Sequence, residues 1–126
     1  MAERIRKEPG PDHPITVEPG SERVRVLVNG EVVADSSAPL VLREAGHPPV
    51  HYLPRADAVM DRLEASAQTT WCPYKGEARY FHIRVGERRL ADAVWSYEEP
   101  FPAVEAIRGH LAFYPAKVDA IEITPV

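Results

Sequence analysis

The sequence predicts a mainly β fold, a single compact domain of short antiparallel strands with one or two short helices. Three observations carry this reading. Thirteen prolines spread through 126 residues break up any long helix. Several short runs alternate apolar and polar side chains, the period of a strand with one buried face. Asn-Gly, Gly-Glu and proline-rich pairs stand between those runs, where turns are needed. With 44% hydrophobic and 27% charged residues the composition is that of an ordinary globular protein. A chain of this length can bury roughly two-thirds of the surface that its unfolded form exposes.

Taken in order, residues 1–13 read as a polar N-terminal arm and residues 14–126 as the β domain. The arm sets Arg4, Arg6 and Lys7 against Glu3, Glu8 and Asp12 and closes on Pro9-Gly10-Pro11; it can lie over the domain or over a second copy. From Arg23, Val24, Val26 and Val28 alternate with Arg23, Arg25 and Leu27 until Asn29-Gly30. Both residues of that pair accept positive φ, so a two-residue hairpin turn is expected, with Val28 facing Glu31 and Val26 facing Val33. Leu40–Glu44 and Val50–Leu53 read as the next strands. Pro54 suits the first position of a helix, and Ala58, Val59, Met60 and Leu63 fall at helical spacing, which predicts a short helix over Arg55–Ala65. Phe81, Ile83 and Val85 share one face of an extended run with Tyr80, His82 and Arg84 on the other. Gly86-Glu87 turns that run into Arg88–Tyr97. Pro102–Ile107 reads as a short helical segment ended by Gly109, and His110–Tyr114 and Lys117–Ile123 as the last strands. The count is seven or eight strands.

Charge and cysteine usage narrow the function. Fifteen basic against 19 acidic residues leave a net charge of -4, which offers no general attraction to nucleic acid or to anionic lipid. No segment approaches the roughly 18 apolar residues of a membrane span, and the opening residues contain no signal-peptide core. One cysteine allows no internal disulfide, so the expected compartment is the cytoplasm. His47 and His51, with His82 and His110 on strands, lack a paired carboxylate pattern; no metal and no cofactor are expected.

The chemistry concentrates in Thr69–Tyr80, which holds the only cysteine, one of two tryptophans and one of three lysines. Pro73 biases Cys72 to an extended backbone and Gly76 permits positive φ beside Lys75, so both side chains can project from one tight corner. Lys75 with the Gly76 backbone N–H can meet an anionic group, and the competing reading is a surface lysine paired with Glu77. Cys72 is a candidate nucleophile if Lys75 favours its thiolate, or else a small buried hydrophobe. Tyr74, Tyr80, Trp95 and Tyr97 can line a pocket for a planar ring or a sugar, or sit in the core with their polar tips outward. Asp92 interrupts an apolar strand; it and Glu77 are the candidate proton-transfer groups, with a bond from Asp92 to Lys75 or Arg84 as the structural alternative. The expectation is a site for a small anionic or nucleotide-like ligand between the Cys72–Glu77 corner and the Asp92–Tyr97 strand. The alternative is an interaction or self-assembly module, a homodimer for instance, in which the corner is purely structural.

Cys72-Pro73-Tyr74-Lys75-Gly76-Glu77-Ala78, followed by Trp95-Ser96-Tyr97 and Pro100, resembles the bacterial and fungal domain-of-unknown-function family 427. Asn29-Gly30, Pro54 with Asp57, Thr70, Ile107, Gly109, Phe113-Tyr114 and Val118-Asp119 extend the likeness across His13–Ile123. The family is sometimes labelled nucleotidyltransferase-like. The resemblance implies a compact antiparallel fold, similar in outline to the tent-like domains of methionine sulfoxide reductase B and zinc-containing exchange factors. Those relatives hold zinc through paired Cys-x-x-Cys knuckles, which a chain with one cysteine cannot form.

Overall fold

The computed structural model describes residues 4–126 and is mainly β. Those residues form ten strands: β1 (Ile15–Pro19), β2 (Glu22–Val28), β3 (Glu31–Ser36), β4 (Leu40–Glu44), β5 (Val50–Tyr52), β6 (Leu63–Cys72), β7 (Gly76–Val85), β8 (Arg88–Ser96), β9 (Ala112–Phe113) and β10 (Ala120–Pro125). They pair antiparallel throughout, in three sheets ordered β10-β2-β3, β6-β7-β8-β9 and β1-β4-β5.

The four-stranded sheet is the middle of the molecule because period-two alternation gives it two apolar faces. Ile83, Val85, Val94 and Phe113 pack with Val24, Val26 and Val28 of β2 and with Val33 and Ala34 of β3 in one buried cluster. Ala78, Tyr80, Tyr97 and Ala112 pack with Leu42 of β4, Tyr52 of β5, and Val104 and Ile107 of a 3-10 segment in a second. Fully burying a side chain of this size contributes about 1.5–3 kcal/mol, so both clusters are substantial.

Asn29 (φ 53°) and Gly30 (φ 74°) make the expected hairpin turn, and Val28 faces Glu31. The next expected pair is corrected: Val26 faces Ala34, because the β2–β3 register shifts between Val26 and Leu27. Val33 is nevertheless fully buried.

The helix expected over Arg55–Ala65 does not form. Two 3-10 turns, Arg55–Asp57 and Met60–Arg62, take its place, and Leu63 already begins β6. Sheet bonds capture the intervening backbone: Val59 N–H donates to the Val33 carbonyl at 2.8 Å and Ala58 bridges to Ala34. A helix would have to break both. Pro102–Ile107 is also 3-10, with a kink at Val104. The last two strands are shorter than expected, while β1 and the start of β6 add strands that were not expected, although Ile15 and Val17 alternate with Thr16 and Glu18, and Leu63, Ala65 and Ala67 with Glu64, Ser66 and Gln68.

Of the arm, residues 1–3 lie outside the described residues. Its next residues rest on the corner: Lys7 N–H donates to the Pro73 carbonyl at 2.8 Å, and Trp71 Nε1 donates to the Ile5 carbonyl at 2.7 Å. Arg4 and Arg6 lie over the rings of Trp71 and Phe101. No helix among the described residues is long and apolar enough to cross a membrane.

Candidate functional site

The corner is the turn between β6 and β7. Lys75 N–H donates to the Cys72 carbonyl at 3.3 Å, which closes the chain around Pro73, and Cys72 faces Gly76 in the strand register. Gly76 has φ 106°, which L side chains rarely adopt, so the backbone of this position needs glycine, while a Cβ there would meet the Glu99 carbonyl oxygen at an ordinary contact distance of 3.4 Å. Phe101 N–H donates to the Lys75 carbonyl at 3.1 Å and ties the turn to the segment after β8.

From this turn the Lys75 side chain runs inward. Its ammonium donates to Glu44 Oε1 at 2.5 Å, and both side chains are only 10% exposed. The other oxygen of Glu44 is 2.6 Å from His13 Nε2. An ionised carboxylate only accepts, so Nε2 carries the hydrogen there. Burial pushes the Glu44 carboxyl up, but the Lys75 and His13 bonds outweigh it and hold its pKa below the usual glutamate value. The result is a fixed ammonium and a fixed carboxylate side by side.

This pair lines a cleft of about 390 Å³ between β4–β5 and the four-stranded sheet. Tyr80, Trp95, Tyr97 and Tyr114 supply its aromatic wall; Pro48, Pro49 and Pro115 supply a stiff lip. The Trp95 and Tyr114 rings lie 4.4 Å apart, and Tyr80 stacks on Tyr114 with its hydroxyl 2.8 Å from Thr70 Oγ1. Trp95 Nε1 donates to the Tyr52 hydroxyl at 3.2 Å. Burial raises the pKa values of Tyr52, Tyr97 and Tyr114, the last also through its bond with Tyr80. All three are therefore neutral hydroxyls near pH 7 and cannot act as phenolate bases. Chemically, the cleft offers flat apolar faces together with a donor beside an acceptor.

Of the residues singled out in the sequence, Lys75, Tyr80, Trp95 and Tyr97 meet in this cleft. His47 lines it too, while Tyr74, Gly76, Glu77, Cys72 and Asp92 do not. Tyr74 stacks on His13 with ring centroids 4.0 Å apart. Gly76 and Glu77 border a separate polar recess, where Glu77 pairs with Arg4 at 2.9 Å. Cys72 is partly buried against the second core cluster. Asp92 accepts from Ser66 Oγ at 2.5 Å, while its own N–H donates to His82 Nδ1 at 2.9 Å. It bonds neither Lys75 nor Arg84, and its φ of 50° marks it as the residue that absorbs an irregularity where β7 and β8 lose register. His51 meets Glu22 and His110 meets the Arg108 carbonyl, and among the described residues no three His, Cys, Asp or Glu side chains converge on a metal position.

Glu44, His13, Tyr52 and Tyr114 belong to the site or support it without having been singled out. Glu44 ends the extended run Leu40–Glu44, where an exposed acid is ordinary, and it lies 31 positions before Lys75 in sequence. The one signal available was the rarity of lysine: a lysine in a tight turn beside apolar strands needs an acid when it is buried.

No curated protein matches the chain. The sequence profile of a domain of unknown function, DUF427, matches residues 16–124, which takes in all ten strands except the first residue of β1 and the last of β10. The corner, the aromatic wall and the Glu44 partner all lie inside that match, and the chain belongs to the DUF427 family.

Proposed function

We propose that the cleft binds a small nucleotide-like ligand, with its planar ring among Trp95, Tyr80 and Tyr114 and a polar or anionic edge against Lys75 and Glu44. One observation carries this reading: an ammonium that is nine-tenths buried opens onto an aromatic cleft while making a single side-chain hydrogen bond among the described residues. An ammonium has three N–H donors, so two directions are left for a ligand or solvent. Because Glu44 already balances the lysine, the pair suits a ring edge that presents an acceptor beside a donor better than it suits a bare phosphate. Such an edge is what nucleobases and carboxamides carry. A cytoplasmic setting, in which small charged metabolites abound and a lone thiol stays reduced, accords with this reading.

Titration calorimetry with adenosine, adenosine monophosphate, nicotinamide and inorganic phosphate tests it. Ring compounds should bind and phosphate alone should not. Binding should vanish in the double variant Glu44→Gln/Lys75→Met, which removes both charges together and so avoids stranding one of them. Phosphate binding with no ring compound binding would sink the proposal, as would ring binding that the double variant retains.

A further inference from the structure

A second hollow of about 400 Å³ adjoins the cleft and shares four wall residues with it: Pro49, Val50, Trp95 and Pro115. Its character is different. Val24 and Val26 of β2, Leu53, Phe113, and Ile121 and Ile123 of β10 line it, with His51 as its one ionisable side chain. Val24, Val26 and Leu53 are core residues, each 1% exposed, and Ile123 on the outer strand is 43% exposed. The hollow is therefore a groove whose floor is the first core cluster and whose rim is β10.

The two spaces lie against the same four residues, beside the two-residue strand β9. It pairs with β8 at Val94 and Trp95, and Pro115 stands two residues beyond its end, so the sheet edge stops at the tryptophan. Trp95 thus stands as a wall common to a compartment that holds a charged pair and one that is almost wholly apolar. An amphipathic molecule matches that sequence of surfaces, whereas a wholly polar one would leave the groove unused.

We infer that the ligand of this protein is amphipathic: a planar polar head in the Lys75 cleft, continued past Trp95 by an aliphatic or other apolar tail in the groove between β10 and β5. This rests on the ring-binding reading and adds the class of substituent that the ring carries. The occupant of the groove is the tail of the same ligand, because the groove and the cleft share their walls.

The probe is a series of 4-alkylbenzamides, from benzamide to the hexyl compound, whose carboxamide presents an acceptor and a donor on one edge. Affinity should rise along the series by roughly threefold to fourfold for each methylene that enters the groove, the gain expected for burying that much apolar surface. Ile123→Glu places a charge on the exposed rim of an outer strand, where folding tolerates it. That variant should bind benzamide as the wild type does and lose the gain from the tail. If benzamide binds and the series is flat, or if the gain survives Ile123→Glu, the amphipathic inference is wrong and the ring-binding reading stands. If no member binds at any length while adenosine or nicotinamide does, the amphipathic inference falls and the ring-binding reading stands; if none of these rings binds, both fall. A flat series together with a dimer that Ile123→Glu dissociates would assign the groove to a second copy of the chain, and would equally overturn the inference.

Discussion

The corner has two sides, and they treat the same kind of ion pair in opposite ways. Inside, Lys75 meets Glu44 with both side chains 10% exposed. Two residues further on, Glu77 meets Arg4 of the arm with exposures of 32% and 58%. The distances, 2.5 and 2.9 Å, differ little. What separates the pairs is water: the outer one sits in a high dielectric and is screened, while the inner one has lost its hydration and depends on its partner. A buried pair that opens onto a cleft is therefore held in place for a purpose or at a cost, and an exposed pair needs neither.

The sharpest break of this comparison is to remove one partner on the inside. Lys75→Met should lower stability by about 3 kcal/mol, because the Glu44 carboxylate is left desolvated. Glu44→Gln/Lys75→Met should return to within about 1 kcal/mol of the wild type. Urea unfolding of the three proteins checks this, and equal losses in the single and double variants would mean that the lysine matters for its packing instead of its charge.

Acid gives a smaller and more selective effect. Glu44 binds its proton more weakly in the folded chain than in the unfolded one, so the unfolded chain takes up protons first as pH falls. The stabilisation from this group is complete above the ordinary glutamate pKa of ~4.3 and is lost as pH drops through the lower folded value. Melting temperatures measured from pH 6 to pH 3 should therefore fall less steeply for Glu44→Gln than for the wild type. Identical slopes would contradict a carboxylate held ionised by the inner pair.

On the outside, Arg4→Ala should cost less than about 1 kcal/mol, and the cost should shrink further in high salt. The same urea experiment with and without added sodium chloride would show it. A loss comparable to that of Lys75→Met would erase the distinction between the two sides.

Much of this architecture was legible in the sequence, for identifiable reasons. The Asn29-Gly30 hairpin and the Phe81, Ile83 and Val85 face are local patterns, set by turn chemistry and by the strand period. Gly76 was readable because a positive φ beside a proline turn requires it. The helix expected after Pro54 failed because spacing alone could not show that Val33 would take the Val59 N–H. Glu44 was hidden for a related reason: its partner is distant in sequence, and nothing in Leu40-Val41-Leu42-Arg43 marks the acid that follows as a buried one. Asp92 looked like a site residue because it interrupts an apolar strand, and the structure gives that interruption a backbone cause, a left-handed residue at a break in register. Local rules recovered the strands and the corner; pairings across the sheets decided which side chains of the corner share a cleft.

β7 lends alternate side chains to two cores, Ala78 and Tyr80 to one and Ile83 and Val85 to the other. Neither core can then come apart while the other keeps its middle strand intact. Heat or denaturant acting on either face of the molecule reaches the other through a shared backbone, and the cleft, which is walled by residues of that same sheet, survives only as long as both do.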